Sequence, residues 1–371
     1  MKTAYNYLLK SIDNFIVFLH KYKMYFAEHI ALYKKKSLYK DVKWSKVQKK
    51  EFDSYWKKNF GKKITPNGHK LYESINGIFH KDYFPDFLFS TKLELKLNNL
   101  IYANIYSDKS LTELLYSKSD LIRMPKTYLI KINGIWYDKD RCVIGNEEVK
   151  ETLFNLGKAV IKPTLGGNSG KGIIFCDFEN GIDKNEETSI EKLMDSKNKD
   201  FIIQELMQQH ESFSKLYPKS INTIRAITYI AEDKIHHSLL SLRLGSGNNK
   251  VDNIHAGGVV VGVKENGELL KHGYILGYSN SNIKITHHPD TQVQFEGYLL
   301  HEIKSIIEIS KKLHGLTPHI GMISWDFMVS KENKPVLIEA NYMGQSVWFP
   351  QIIHGKPIFG EHTEYMLKLI K

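Results

Sequence analysis

Between Gly321 and Asn341 the chain reads Gly-Met-Ile-Ser-Trp-Asp-Phe-Met-Val-Ser-Lys-Glu-Asn-Lys-Pro-Val-Leu-Ile-Glu-Ala-Asn. The two apolar runs, Met322–Val329 and Pro335–Ile338, predict a β-hairpin turned at Lys331–Lys334. Asp326 interrupts the first run, and Glu339 and Asn341 close the second. Side chains alternate faces along a strand, so Glu339 and Asn341 point the same way. A paired strand can set Asp326 beside them. Two carboxylates and an amide oxygen on one face make a hard oxygen cluster, the kind that takes Mg²⁺ together with phosphate oxygens. A solvated acidic hairpin face is the other reading of the same pattern.

With 371 residues, 42% hydrophobic and 25% charged, the chain has enough length for about two domains with sizeable cores. No apolar run approaches the roughly 20 residues of a spanning helix. Lys10 and Asp13 break the apolar character of residues 1–20, which argues against a signal peptide. A cytoplasmic location is expected. Cys142 and Cys176 sit in separate apolar segments and read as reduced core thiols, with one disulfide left open. The net charge of +11 is nearly all lysine, since the arginines are only Arg123, Arg141, Arg225 and Arg243. This balance favours nucleotides, acidic glycans, nucleic acid or an anionic membrane face, unless it reflects only a lysine-rich sequence style. A guanidinium fork suits bidentate phosphate or carboxylate contacts, so the arginine positions are informative.

Leu8, Ile12, Phe15, Ile16, Leu19, Tyr22 and Phe26 recur at helical spacing and predict a helix over 3–33. The basic stretch Lys34–Lys63, with Trp44, Tyr55 and Trp56, reads as a docked helical arm with a solvated lysine face, or as a contact for a membrane surface or acidic polymer. Pro66-Asn67-Gly68 marks a joint. Helices are expected at Thr91–Tyr106 and Lys109–Ser117, and strands at Tyr128–Ile132 and Ile135–Tyr137 around Asn133-Gly134.

From about residue 142 short strands alternate with glycine-rich turns. Ala159–Lys162 and Ile173–Cys176 flank Pro163-Thr164-Leu165-Gly166-Gly167-Asn168-Ser169-Gly170-Lys171-Gly172. Its glycines let backbone N–H groups approach a phosphate closely. It is not a Walker A loop: Leu165 replaces a required glycine, Gly172 stands where Ser or Thr follows the lysine, and a strand comes next. A β-hairpin flap fits better, and an ordinary loop stays open. Phe201–Leu206 is a strand carrying Glu205; Asn222–Ala231 carries Arg225; His237–Leu244 carries Arg243. A buried strand arginine needs an anionic partner, either a structural carboxylate or a bound anion. Asp252-Asn253-Ile254-His255-Ala256-Gly257-Gly258 leads into the strand Val259–Val263, and Asn266-Gly267 turns into Leu269–Leu276. His287-His288 has no third ligand at metal spacing. Gln292–Leu313 reads as an amphipathic helix stopped by Gly315, Trp348 and Pro350 as loop, and Glu361–Leu369 as a closing helix.

Seven segments stand in a telling order. They are Val160-Ile161-Lys162-Pro163, Gly166–Gly172, Ile202-Ile203-Gln204-Glu205, Asn222-Thr223-Ile224-Arg225, Leu242-Arg243-Leu244-Gly245, Asp252-Asn253 with Gly257-Gly258, and Trp325-Asp326 with Leu337-Ile338-Glu339-Ala340-Asn341. On these the chain resembles the ATP-grasp superfamily, in particular its sugar-transfer and surface-polysaccharide-associated proteins, over about residues 85–350. The resemblance implies an α+β fold, the ATP-grasp fold, in which two α+β subdomains clasp ATP, with an N-terminal helical extension. Residues 1–80 would be the Lys-rich extension, 81–140 a preceding region and 141–371 the ATP-grasp domain, divided into a flap part (141–210) and a metal and substrate part (211–371).

The resemblance further implies ATP contacts from Lys162, Gly166, Gly167, Asn168, Ser169, Gly170, Lys171, Gln204, Glu205 and Leu206. Arg225 and Arg243 would be catalytic, facing the γ-phosphate or a substrate carboxylate. Asp252, Asn253, His255, Gly257 and Gly258 would face the substrate. Asp326, Glu339 and Asn341 would hold Mg²⁺, two ions in the family pattern. The implied activity is an ATP-dependent carboxylate–amine ligase working through an acylphosphate on an acidic sugar, amino acid or glycan in surface-polysaccharide (capsule) biosynthesis. A hydroxyl-phosphorylating kinase and a non-catalytic nucleotide- or glycan-binding relative are the alternatives. The expected partners are a carboxylate and an amine, with an acidic polymer or membrane surface at the Lys-rich arm. No recognised nucleic-acid motif is present.

Overall fold

Two antiparallel sheets form the centre of the protein. The computed structural model describes residues 2–116, 121–166, 170–185, 188–196, 199–254, 257–276 and 282–371. The smaller sheet holds β1 (Thr127–Ile132), β2 (Ile135–Asp138), β3 (Lys158–Pro163), β4 (Ile174–Glu179), β5 (Ile182–Asp183) and β6 (Phe201–Glu205), in the order β2-β1-β6-β3-β4-β5. A division at 140/141 would therefore run through one sheet. The larger sheet holds β7 (Thr223–Ala231), β8 (Lys234–His237), β9 (Leu240–Leu244), β10 (Val259–Val263), β11 (Leu269–Leu276), β12 (Asn282–Ile285), β13 (Met322–Val329) and β14 (Pro335–Asn341). Its order is β12-β11-β10-β9-β7-β13-β14, with β8 beside β7.

Alternation along the strands sorts the side chains. All residues of β13 are buried, as its near-continuous apolar run predicts for a central strand. Ile323, Trp325, Phe327 and Val329 pack with Ile303, Ile306, Ile307 and Leu313 of the helix Ile303–His314. Ile224 and Ala226 of β7 and Leu242 and Leu244 of β9 join the same core. Asp326, Arg225 and Arg243 sit at the alternate positions and so occupy the opposite face. In β3, Ala159 and Ile161 pack with Val149, Leu153 and Phe201, while Lys162 turns the other way, toward the larger sheet.

The N-terminal helices are part of this packing. Ser45 and Gln48 form a capping box that starts the helix Lys46–Phe60. That helix buries Phe52, Tyr55, Trp56 and Phe60 against Phe84, Ile227, Met322 and Phe359, with Lys57 and Lys58 exposed.

Four local expectations need correction. The helix expected over Thr91–Tyr106 is interrupted. A π-helical turn (Phe89–Leu93) and the short helix Glu94–Leu97 end at Asn98, which is extended and bridges Ile320, and the helix Leu100–Tyr106 follows. The helix expected over Gln292–Leu313 begins only at Ile303. Gln292 and Glu302 have left-handed φ of 58° and 64°, and Gln294 and Leu299 bridge His287 and Glu268. Trp348 and Pro350 belong to the helix Trp348–His354 rather than a loop. Proline fits in the first turn, where its missing N–H has no helical partner to lose. Cys176 is buried as expected, but Cys142 is exposed, and neither is in a disulfide.

Candidate functional site

A cleft of about 480 Å³ lies between β3 and the face of the larger sheet that carries the charged residues. Strand register builds its floor. Asp326 is the partner of Arg225 across β13–β7 and of Glu339 across β13–β14. Thr223 is the partner of Arg243 across β7–β9. A register shift after Asp326 bulges β14 at Ile338, just ahead of Glu339.

These side chains form one network. Arg225 donates from Nε to Asp326 Oδ1 (2.5 Å) and from Nη2 to Oδ2 (2.8 Å). Arg243 donates from Nη1 to Asp326 Oδ2 (3.1 Å) and from Nη2 to Asp252 Oδ1 (3.2 Å). The Thr223 hydroxyl donates to the second Asp252 oxygen. Asn341 Nδ2 donates to Ser324 O (3.3 Å) and Asp326 Oδ2 (3.4 Å), which leaves its Oδ1 available as an acceptor. Burial alone would raise the Asp326 carboxyl, but the two guanidiniums outweigh it and hold it below the usual carboxylate range. At Asp252 burial prevails over Arg243, and the carboxyl is shifted up.

Lys162 faces this floor from β3. Burial pushes its ammonium down to about 8; Glu339 opposes the shift and Lys109 adds to it. Lys109 is 3.1 Å from Glu339 Oε1. Nothing in the sequence marks Lys109, one lysine among many. It opens the helix Lys109–Tyr116, and its backbone N–H donates to Thr164 O (2.9 Å) and its Nζ to Gly166 O (3.3 Å). Among the described residues the cleft is lined by four cations (Lys109, Lys162, Arg225, Arg243) and three carboxylates (Asp252, Asp326, Glu339). The surplus positive charge suits an anion such as a phosphate chain.

The glycine-rich segment joins β3 to β4, and Gly170 borders the cleft. Gly172 has φ +77°, and a Cβ there would lie 2.9 Å from Pro163 Cγ, so this return needs glycine. Gly166 and Lys171 are exposed, and Gly167, Asn168 and Ser169 lie outside the described residues. Gln204 donates to Thr127 Oγ1 (3.1 Å) and borders a side recess of about 20 Å³ with Lys109, Lys162 and Glu339. Glu205 accepts from Arg123 Nη2 (3.0 Å) and from the Lys126 N–H (3.3 Å), and Leu206 is half-buried. Arg123 thus holds the strand end expected at an adenine edge, a role its sequence position did not suggest. Asp252 and Asn253 line the cleft. Gly257 and Gly258 close the loop behind them, where a Cβ on Gly258 would lie 2.7 Å from Asn253 O. His255 lies outside the described residues. His288 is fully buried, with Nε2 2.9 Å from Gly245 O, a structural partner.

The donor chemistry fits a hard divalent cation. Glu339 and Asn341 Oδ1 offer oxygens at the cleft, and Asp326 Oδ1 accepts only once, from Arg225 Nε. Asp326 Oδ2 is already taken by both guanidiniums, so a cation would share Asp326 through Oδ1.

Two antiparallel sheets closing on a cleft, with a lysine from one and an Asp/Glu-x-Asn hairpin from the other, define an ATP-grasp fold. The chain belongs to the sugar-transfer associated ATP-grasp family, whose sequence model matches residues 88–365. No curated protein matches the chain. Among solved structures it is similar to an N5-carboxyaminoimidazole synthase from Aspergillus clavatus in complex with ADP and 5-aminoimidazole ribonucleotide, with 8% identity and TM-score 0.37 over 67% of this chain and 48% of that one. It is similar to an N5-carboxyaminoimidazole synthetase from Staphylococcus aureus complexed with ADP, with 12% identity and TM-score 0.37 over 64% and 45%. It is also similar to an L-amino acid ligase from Bacillus licheniformis, with 11% identity and TM-score 0.38 over 71% and 48%. The chain spans about half the length of these structures.

Proposed function

We propose that the chain is an ATP-dependent carboxylate–amine ligase acting on an acidic sugar, an amino acid or a glycan bearing one, in surface-polysaccharide biosynthesis. The observation that carries this reading is the meeting of Lys162 with the Asp326/Glu339/Asn341 hairpin across one cleft. The family's association with sugar transfer supports the substrate class.

In this reading Lys162 and Lys109 neutralise the nucleotide phosphates, and the segment Gly166–Gly172 covers them and excludes water. Glu339, Asn341 and Asp326 Oδ1 would hold Mg²⁺, which would supply neutralisation of the phosphate charge. Arg225 and Arg243, fixed by Asp326 and Asp252, present guanidinium edges to the transferred phosphoryl group or the substrate carboxylate. A carboxylate oxygen of the substrate attacks the γ-phosphorus and ADP leaves. The amine then attacks the acyl carbon of the acylphosphate, phosphate leaves, and the ammonium proton is lost to solvent. The protein's contribution is positioning and charge, and no side-chain nucleophile is needed.

Calorimetry with ATP, with and without Mg²⁺, on the wild type and Glu339→Gln tests the site. Mg²⁺-dependent binding that weakens in the variant is expected, and absence of binding in every condition overturns the proposal. ADP release with acidic sugars or amino acids, with and without an amine, then separates ligation from hydroxyl phosphorylation by the product formed.

A further inference from the structure

We propose that the first helix, Lys2–Lys34, rests its aromatic face on an anionic membrane surface, as a peripheral contact. Phe15, Phe18, Tyr22, Phe26, Ile30 and Tyr33 are 49–73% exposed. At about 3.6 residues per turn they share an arc of about 120°. The rings of Phe15, Phe18, Tyr22 and Phe26 form a continuous ladder, with centroids 6.4 Å apart for Phe15–Phe18, 4.6 Å for Phe18–Tyr22 and 6.2 Å for Tyr22–Phe26. The opposite side is docked: Met24, Glu28 and Ala31 border a cavity shared with Tyr72, Asp86 and Trp348. The body of the protein therefore holds the helix with its apolar stripe outward.

Charge selects the occupant. From Phe15 to Lys36 the one acid is Glu28, and it lies on the docked side. Lys21 borders one edge of the stripe, and Lys23 and Lys34 the other; all three are exposed. A second copy packed on this face would bring lysine edges against lysine edges. Anionic headgroups neutralise both edges while the rings enter the boundary between headgroups and acyl chains. Lysine stems can extend past the rings to reach those headgroups. Among the described residues no helix is long and apolar enough to cross a membrane, so the helix lies on the surface.

The test is co-sedimentation of the full chain with phosphatidylcholine vesicles and with vesicles containing about 30% phosphatidylglycerol. The wild type is expected to pellet with the anionic vesicles and to be released by salt. Phe18→Asp/Tyr22→Asp/Phe26→Asp alters exposed side chains only, and is expected to keep the wild-type melting curve while losing vesicle binding by about tenfold or more. Lys21→Glu/Lys23→Glu is expected to weaken binding to the anionic vesicles alone, by about tenfold. A wild type that stays in the supernatant, or a triple-aspartate variant that binds as well as the wild type, overturns the proposal. Sedimentation velocity showing a dimer that the triple variant dissolves, without vesicle binding, assigns the face to a second copy and also overturns it.

Discussion

Arg225 and Asp326 are direct partners across the β7–β13 ladder, joined by two hydrogen bonds from one guanidinium to one carboxylate. Both side chains are nearly buried, at 15% and 5% exposure. Truncating one member of such a pair leaves the other charge without compensation, at about 3–5 kcal/mol. Asp326→Asn is expected to lower unfolding free energy in urea by about that amount, since Arg243 loses the same partner. Arg225→Gln combined with Asp326→Asn is expected to cost less than the sum of the single changes, by about 1–3 kcal/mol. Additive losses would show that the pair is not coupled.

The strands of the two sheets were legible because most are short apolar runs punctuated by Gly, Asn and Asp. The hairpin Met322–Asn341 is clearest: period-two alternation placed Asp326, Glu339 and Asn341, and the register sets Asp326 opposite Glu339. Arg225 and Arg243 were legible because arginines are few and these two lie on strands. Lys109 was not, because it reaches the cleft only through the chain path from the helix Lys109–Tyr116 back to Thr164. The pairing of Glu205 with Arg123 joins distant segments and left no local signal. The helices expected at Thr91–Tyr106 and Gln292–Leu313 fail for one physical reason: the backbone bridges of Asn98 to Ile320, Gln294 to His287 and Leu299 to Glu268 override helical periodicity.

Asn98 illustrates this competition. Its side chain donates to Met322 O (2.8 Å) and Tyr342 O (2.5 Å) and accepts from the N–H groups of Gly321 (3.0 Å) and Met322 (2.9 Å). These contacts pin the start of β13 and the segment just past the end of β14. Asn98→Ala strands the Met322 N–H and Tyr342 O, each worth about 1–3 kcal/mol when left unpaired, whereas the Gly321 N–H keeps Leu97 O (2.8 Å) and Met322 O keeps Gln345 Nε2 (2.9 Å). The expected loss is about 3–5 kcal/mol by urea unfolding. If a helix through residue 98 were the stable arrangement, the alanine, a better helix former, would instead raise stability.

Lys162 gives the proposed nucleotide site a pH signature. Its ammonium, pushed down to about 8, is the form that attracts phosphates. Above that value the free protein loses the charge, and ATP affinity is expected to fall by up to about tenfold per pH unit. Lys162→Arg keeps its charge throughout this range, so its affinity is expected to stay flat from about pH 7 to 9.5, whatever its absolute value. Titration calorimetry across that range distinguishes the two profiles. Parallel curves would remove Lys162 from the phosphate site.

Glu94 carries a second titration, in stability rather than binding. It is 1% exposed and accepts the Gln345 N–H on Oε1 (2.9 Å). Burial, only partly opposed by that bond, pushes its carboxyl from the usual 4.5 up to about 8. Between those two values the folded protein keeps a proton that the unfolded chain has released. More protons are bound folded than unfolded, so stability falls as pH rises through this window and levels off above about 8. The full shift is worth on the order of 5 kcal/mol as an upper bound. Glu94→Gln keeps an acceptor for the Gln345 N–H and removes the titration. The variant is expected to melt near the wild type at about pH 5 and a few degrees above it at about pH 8.5, the gap opening between those values. Melting curves that stay parallel from acid to alkaline pH would mean that Glu94 does not hold its proton in the folded protein.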